Sequence, residues 1–132
     1  HPDRVAVEFD FQEDREHRVI GGSDALLMPS LYEPCGLTQM RAQRYGAIPI
    51  ARRVGGLAET IRDGSTGLLF DEYAPERLDW TINRAITRFS KSDSWREMMV
   101  HAMVRDFSWE WVVGQYCEIY NRALQMRSDI PT

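Results

Sequence analysis

Cysteine is scarce. Only Cys35 and Cys117 occur in 132 residues, far apart and without a C-x-x-C or His-rich companion, which excludes a disulfide framework and a zinc or other metal site and fits a reducing compartment. Long apolar runs are lacking as well. No stretch approaches the roughly 18 to 20 residues needed to span a bilayer, and no charged-then-apolar leader resembles a signal peptide. A soluble chain with no membrane partner is therefore expected. Neither sign of charge prevails: 16 basic residues stand against 20 acidic ones, for a net charge of −4, and their mixing leaves no footprint for nucleic acid. Internal repeats and low-complexity segments are absent. An initiating methionine is lacking too: the chain opens with His1 and Pro2, as a piece cut from a longer protein would. What remains, 43% apolar and 11% aromatic residues, suffices for one hydrophobic core of ordinary size.

Val5, Val7 and Phe9 alternate with Arg4, Ala6 and Glu8, a period-two pattern that predicts a strand ending near Asp10. Residues 12–20 predict a short helix closed by Gly21 and Gly22. The apolar run Ala25-Leu26-Leu27-Met28, between Asp24 and Pro29, reads as a strand covered on both faces. Residues 37–45 then form a helix stopped by Gly46, and 48–51 a strand, with Pro49 as a warning against a long ladder. A brief helix at 57–62, a turn at 63–67 and a strand at 68–70 complete the alternation. The fold class is α/β: a Rossmann-like parallel sheet of about four strands with right-handed crossovers, followed by C-terminal helices. Pro75 is placed as a first helical residue, and Leu78, Ile82, Ala85, Ile86 and Phe89 recur at helical spacing. Trp95, Met98, Met99, Ala102 and Met103 make a second stripe. Ser108 is placed to cap a last helix with Trp109, Val112, Val113, Tyr116, Ile119, Tyr120 and Leu124 on its apolar side. The expected organisation is a partial Rossmann-like domain over 1–74, helices packing on that domain over 75–127, and a frayed tail over 128–132.

The segment 29–39 carries the chemistry. It joins the end of a buried strand to the start of a helix, where open α/β sheets bind ligands. Gly36 lets backbone approach a ligand closely, and the N–H groups of Gly36, Leu37 and Thr38 at the helix start are anion donors, to which Thr38 adds a hydroxyl. Glu33 is a carboxylate able to accept hydrogen bonds from sugar hydroxyls. The pattern by itself is read equally well as an ordinary turn with a capped helix and a solvated glutamate.

The string Glu33-Pro34-Cys35-Gly36-Leu37-Thr38-Gln39, followed by Tyr45-Gly46 and Gly55-Gly56-Leu57, resembles the donor-site signature of bacterial glycogen synthases and plastid starch synthases. Flanking matches extend it: His17-Arg18 with Gly21-Gly22-Ser23-Asp24 before, Gly67 with Leu69-Phe70 and then Asp106-Phe107-Ser108-Trp109 after, so the resemblance runs from His1 to about Leu124. It implies the C-terminal part of a retaining glucosyltransferase of the GT-B architecture, in which two Rossmann-like domains close over a cleft. Such enzymes transfer glucose from ADP-glucose or UDP-glucose to the non-reducing end of an α-1,4-glucan, without a cofactor, in a bacterial cytoplasm or a plastid stroma. By position, Glu33 is the catalytic residue at the donor glucose. Cys35, Gly36, Leu37 and Thr38 bind the donor phosphates and stabilise charge on the leaving diphosphate, and Phe11 stacks on the base. Arg41 stands where related retaining enzymes often carry a second glutamate near the ribose. That departure favours the glycogen and starch synthases and leaves ribose recognition unassigned.

Other residues are weaker candidates. Cys35 is chiefly a small side chain in a tight loop, His17 a packing residue, Arg52 and Arg53 either phosphate-facing or paired at the surface, and Glu59 structural. Trp95, Trp109, Trp111, Met98, Met99 and Met103 read as helix packing rather than a glucan-binding strip. The family's acceptor-side lysine and histidine, and the arginine and lysine that clamp the phosphates, have no counterpart here. The chain is therefore expected to hold part of the donor site and to be inactive alone, with the glucan acceptor bound through the missing domain. The alternative is a stand-alone nucleotide-sugar-binding or scaffold module, self-associating through an uncovered sheet edge.

Overall fold

A computed structural model describes residues 1, 3–10 and 12–128, without the side chains of Trp111 and Ser128. Phe11, the expected stacking residue, and residues 129–132 of the tail expected over 128–132 lie outside the described residues. Among these, the elements run α1 (Glu13–Gly21), β1 (Ala25–Met28), α2 (Thr38–Tyr45), β2 (Ile48–Arg52), α3 (Gly55–Thr60), β3 (Leu68–Phe70), α4 (Pro75–Phe89), α5 (Ser92–Met103) and α6 (Trp109–Ser128).

The three strands form one parallel sheet in the order β1-β2-β3, with Leu27 opposite Ile50 and Ile50 opposite Leu68. Each crossover contains a helix, as parallel pairing requires. Side chains alternate between the two faces, and so does the core. Ile48, Ile50 and Leu68 pack with Ala85, Trp95, Met98 and Ala102 beneath α4 and α5. Ala51 and Leu69 pack with Leu57 and Ile61 of the α3 segment on the opposite face, while Leu26 joins Ile20 and Ala42 of α1 and α2. Pro49 is tolerated inside the central strand for a local reason. Ile48 N–H donates to Asp24 O on the β1 side, so the nitrogen of Pro49 faces the β3 side, where pairing starts only at Ile50.

Two strand expectations need correction. Residues 5–9 form no strand and join no ladder among the described residues, and Val5, Val7 and Phe9 are 63%, 69% and 94% exposed. Among the described residues the sheet therefore has three strands where about four were expected, because period-two alternation supplies a face to bury but not a neighbour to bond. β1 is also an edge, with Leu27 46% exposed, whereas both faces were expected to be covered.

Helix boundaries follow local chemistry. Gly46 ends α2 in the left-handed region at φ 82°, with its N–H on Gln43 O, and Pro75 occupies the first turn of α4. Asp106 accepts from the Ser108 side chain and backbone N–H, which hold its carboxyl below the usual aspartate range. α6 differs from α4 and α5: Trp109, Tyr116, Ile119 and Tyr120, expected to pack, are exposed. No helix among the described residues is long and apolar enough to cross a membrane.

Candidate active site

β1 and β2 bring their carboxyl ends to the same edge of the sheet, and loop 29–37 leaves β1 there to enter α2. Three neighbours shape that loop. Arg52, the last residue of β2, donates from Nη1 to Leu31 O at 2.7 Å while its guanidinium lies over the Tyr73 ring. Gly56, in the first turn of α3, donates its N–H to Glu33 O at 3.1 Å. A Cβ on Gly55 would overlap the carbonyl oxygen of Glu33, and one on Gly56 would overlap that of Cys35. The Gly55-Gly56 pair thus exists where α3 runs so close beneath the loop that no side chain fits. The third neighbour is Gln39, fully buried, whose Nε2 reaches Cys35 O at 3.1 Å, Gly36 O at 2.8 Å and Thr60 Oγ1 at 3.0 Å.

Gly36 takes φ 71°, a left-handed conformation that turns the chain into α2. Leu37 follows with φ −108° and ψ −30°, and its carbonyl accepts the N–H groups of Met40 and Arg41. Among the described residues, the N–H groups of Gly36, Leu37 and Thr38 meet no acceptor. The first turn of α2 contains no acidic residue and no side-chain cap, so the positive end of its backbone dipole is open to an anion. Glu33 is half-buried in the same loop, and its carboxylate meets neither a cation nor a donor among the described residues. The arrangement sets unpaired amides and an unpaired carboxylate in one loop. It can bind an anion and a hydroxyl-bearing group side by side.

The expected site residues from Glu33 to Thr38 are therefore contiguous in one loop, with Cys35 exposed and free. Thr38 directs its hydroxyl proton to Glu16 Oε1 at 3.0 Å, which leaves the N–H as its free donor. Arg41, at the position of the second acid, bonds Glu16 Oε2 at 2.8 Å and Glu13 Oε1 at 3.3 Å and so ties α1 to α2. His17 makes its contacts with Tyr45 and Glu13, not with residues 33–38. Its Nδ1 is 3.0 Å from the Oη of Tyr45, the last residue of α2. Arg53 pairs with Asp71 at 2.7 Å.

Glu59 falls near the end of α3 rather than its start. There it lines a cavity of about 750 Å³ with Thr60, Arg62, His101 and Arg105. Burial, and then the nearby charge of Arg62, push the Arg105 guanidinium below its ordinary value. No residue of the loop lines this cavity, and Thr60 alone connects its wall to the loop, through Gln39. Gln39, Thr60, Glu16 and the carbonyl contact of Arg52 were not assigned roles from sequence. The one available signal was Gln39 and Gln43, two polar residues four apart on the core side of a short helix.

A parallel α/β sheet with an anion-receptive loop at its carboxyl edge defines a domain of the doubly wound class. Comparison with known proteins narrows this. The chain belongs to the glycosyl transferases group 1, a family that matches residues 4–99. Among curated relatives, a glycogen synthase of Pseudomonas syringae pv. tomato is 45% identical over 124 residues, covering 94% of this chain and 26% of the relative. A glycogen synthase of Thermodesulfovibrio yellowstonii is 44% identical over 120 residues, or 91% of this chain and 24% of its own length. The chain thus spans about a quarter of the curated relatives it matches. Among solved structures, the catalytic domain of starch synthase IV from Arabidopsis thaliana, bound to ADP and acarbose, superposes with a TM-score of 0.81 at 34% identity, covering 88% of this chain and 26% of that one. Sucrose-phosphate synthase from Thermosynechococcus elongatus gives a TM-score of 0.74 at 26% identity over 94% of this chain and 31% of that one.

Proposed function

We propose that this chain is the later part of the donor-binding domain of a glycogen or starch synthase, which transfers glucose with retention from a nucleoside diphosphate glucose to the non-reducing end of an α-1,4-glucan. The observation that carries the reading is the row of unpaired N–H groups at Gly36, Leu37 and Thr38 beside the unpaired carboxylate of Glu33. In this reading the amides receive the distal phosphate. They gain strength as the glucose-phosphate bond breaks and charge grows on the leaving diphosphate, because they are oriented before the reaction begins. Glu33 accepts hydrogen bonds from the hydroxyls of the donor glucose and holds it against that phosphate. Phe11 is assigned to stacking on the base. ADP-glucose is the favoured donor, supported by the ADP bound to the starch synthase relative, and the acarbose bound to that relative supports a glucan acceptor. Residues 1–74 and the helices over 75–127 are assigned to this one domain, and the acceptor to the part of the enzyme beyond it.

The test is release of nucleoside diphosphate from ADP-glucose or UDP-glucose with glycogen as acceptor. The complete polypeptide should turn over and residues 1–132 alone should not. In the complete polypeptide Glu33→Ala should lower kcat by about a hundredfold or more, on the scale of losing one transition-state contact, and Glu59→Ala, which removes a side chain outside the loop, should leave it nearly unchanged. Equal losses from the two variants, or turnover by residues 1–132 alone, would refute the assignment.

A further inference from the structure

Gln39 was part of the recognised motif, yet neither phosphate nor sugar contact requires it. Its burial is complete, and the two protons of its amide nitrogen are shared among three acceptors within reach: Cys35 O at 3.1 Å, Gly36 O at 2.8 Å and Thr60 Oγ1 at 3.0 Å. The two carbonyls among them belong to the peptide planes that end in the N–H groups of Gly36 and Leu37. A trans peptide is planar with its C=O and N–H pointing in opposite directions. Drawing the Cys35 and Gly36 carbonyls inward onto one buried nitrogen therefore turns the Gly36 and Leu37 N–H groups outward, where they meet no acceptor.

The nitrogen is itself held in place. Thr60 Oγ1 donates to Gly56 O, which leaves its lone pairs for Gln39, and Gly56 N–H fixes Glu33 O. The opposite amide orientation would set Oε1 against two carbonyl oxygens. In the observed one, Oε1 is buried without a partner, a cost the structure bears to keep the donor end on the loop. Even a Cβ at Gly36 would crowd Oε1 and Nε2.

We propose that Gln39 is a positioning residue that orients two peptide planes of the diphosphate cradle, and that Thr60 and Gly56 form the support which aims it. The inference rests on the donor-site reading above and deepens it: Gln39 sets affinity for the distal phosphate without touching the ligand.

The experiment uses the complete polypeptide and titrates ADP and AMP, with UDP and UMP as a second pair, by calorimetry. Gln39→Met keeps the length and burial of the side chain and removes the donor. It should weaken the diphosphate by about tenfold or more, as loss of buried hydrogen bonds does, while AMP or UMP binding stays near wild type. The preference for diphosphate over monophosphate should collapse. Gln39→Glu, which sets a carboxylate against the two carbonyls, should do the same at neutral pH and recover part of the preference at acid pH, where the protonated acid donates again. A role confined to stability would lower unfolding temperature with the diphosphate preference intact, and that result overturns the inference while the donor site stands. Failure of the wild-type protein to bind ADP or UDP overturns the donor-site reading itself.

Discussion

Gly55 and Gly56 illustrate how much of this site is made by atoms that are missing. Their lack of a Cβ lets α3 pass under the loop at Glu33 and Cys35, and Gly56 adds an N–H to Glu33 O. Gly56→Ala cannot be absorbed by a rotamer change, because the obstructing atom is backbone. The substitution should displace the loop and reduce nucleoside diphosphate affinity in the complete polypeptide by about tenfold or more, since amides that are no longer convergent bind phosphate less tightly. Calorimetry with ADP or UDP checks it, and wild-type affinity would show the loop to be independent of α3. At Gly114, where a Cβ meets nothing within 4 Å, an alanine should leave binding unchanged. At this scale the sequence was informative about which residue types assemble and silent about how they are aimed. Gln39 looks like any helical glutamine until its amide is seen facing the carbonyls of Cys35 and Gly36.

Among the elements, α5 is the one whose periodicity translated most directly into packing. Trp95, Met98 and Ala102 are buried against Ile48, Ile50 and Leu68, as their three- and four-residue spacing requires. Met98→Ala should destabilise the domain by about 2–5 kcal/mol, the usual cost of a cavity at a fully buried methionine. Urea unfolding of the complete polypeptide, followed by circular dichroism, measures it, and a shift no larger than that of Glu59→Ala would place Met98 outside the core. α6 carries a stripe of similar spacing and leaves it exposed. Periodicity states that a face is apolar; it does not state what covers it. The same limit explains residues 5–9, where correct alternation produced no strand.

For the whole molecule, the sheet has one central strand and two edges, and β1 exposes Ala25 and Leu27 along one of them. An uncovered parallel edge is uncommon in stable domains. The relatives are about four times longer than this chain, which covers 26% of one of them. We therefore expect the remainder of the polypeptide to pair with β1 and to cover α6. Backbone amides of residues 25–28 should exchange slowly with solvent in the complete polypeptide and measurably faster in residues 1–132 alone. Equal rates, with dimer formation by residues 1–132, would instead assign the edge to self-association.

Composition, spacing and turn chemistry determined by themselves the alternation of strand and helix, the helix ends at Gly46 and Pro75, and the loop in which Glu33, Gly36, Leu37 and Thr38 fall. These depend on nearby residues and on side-chain period, which a linear string contains. Only the tertiary structure decided that β1 is an edge, that residues 5–9 join no strand among the described residues, and that His17 packs on Tyr45. It also decided that the Gly36 and Leu37 amides face outward, under the hold of Gln39, Thr60 and Gly56. Those outcomes turn on which distant groups become hydrogen-bond and packing partners, and partners are chosen in space rather than along the chain.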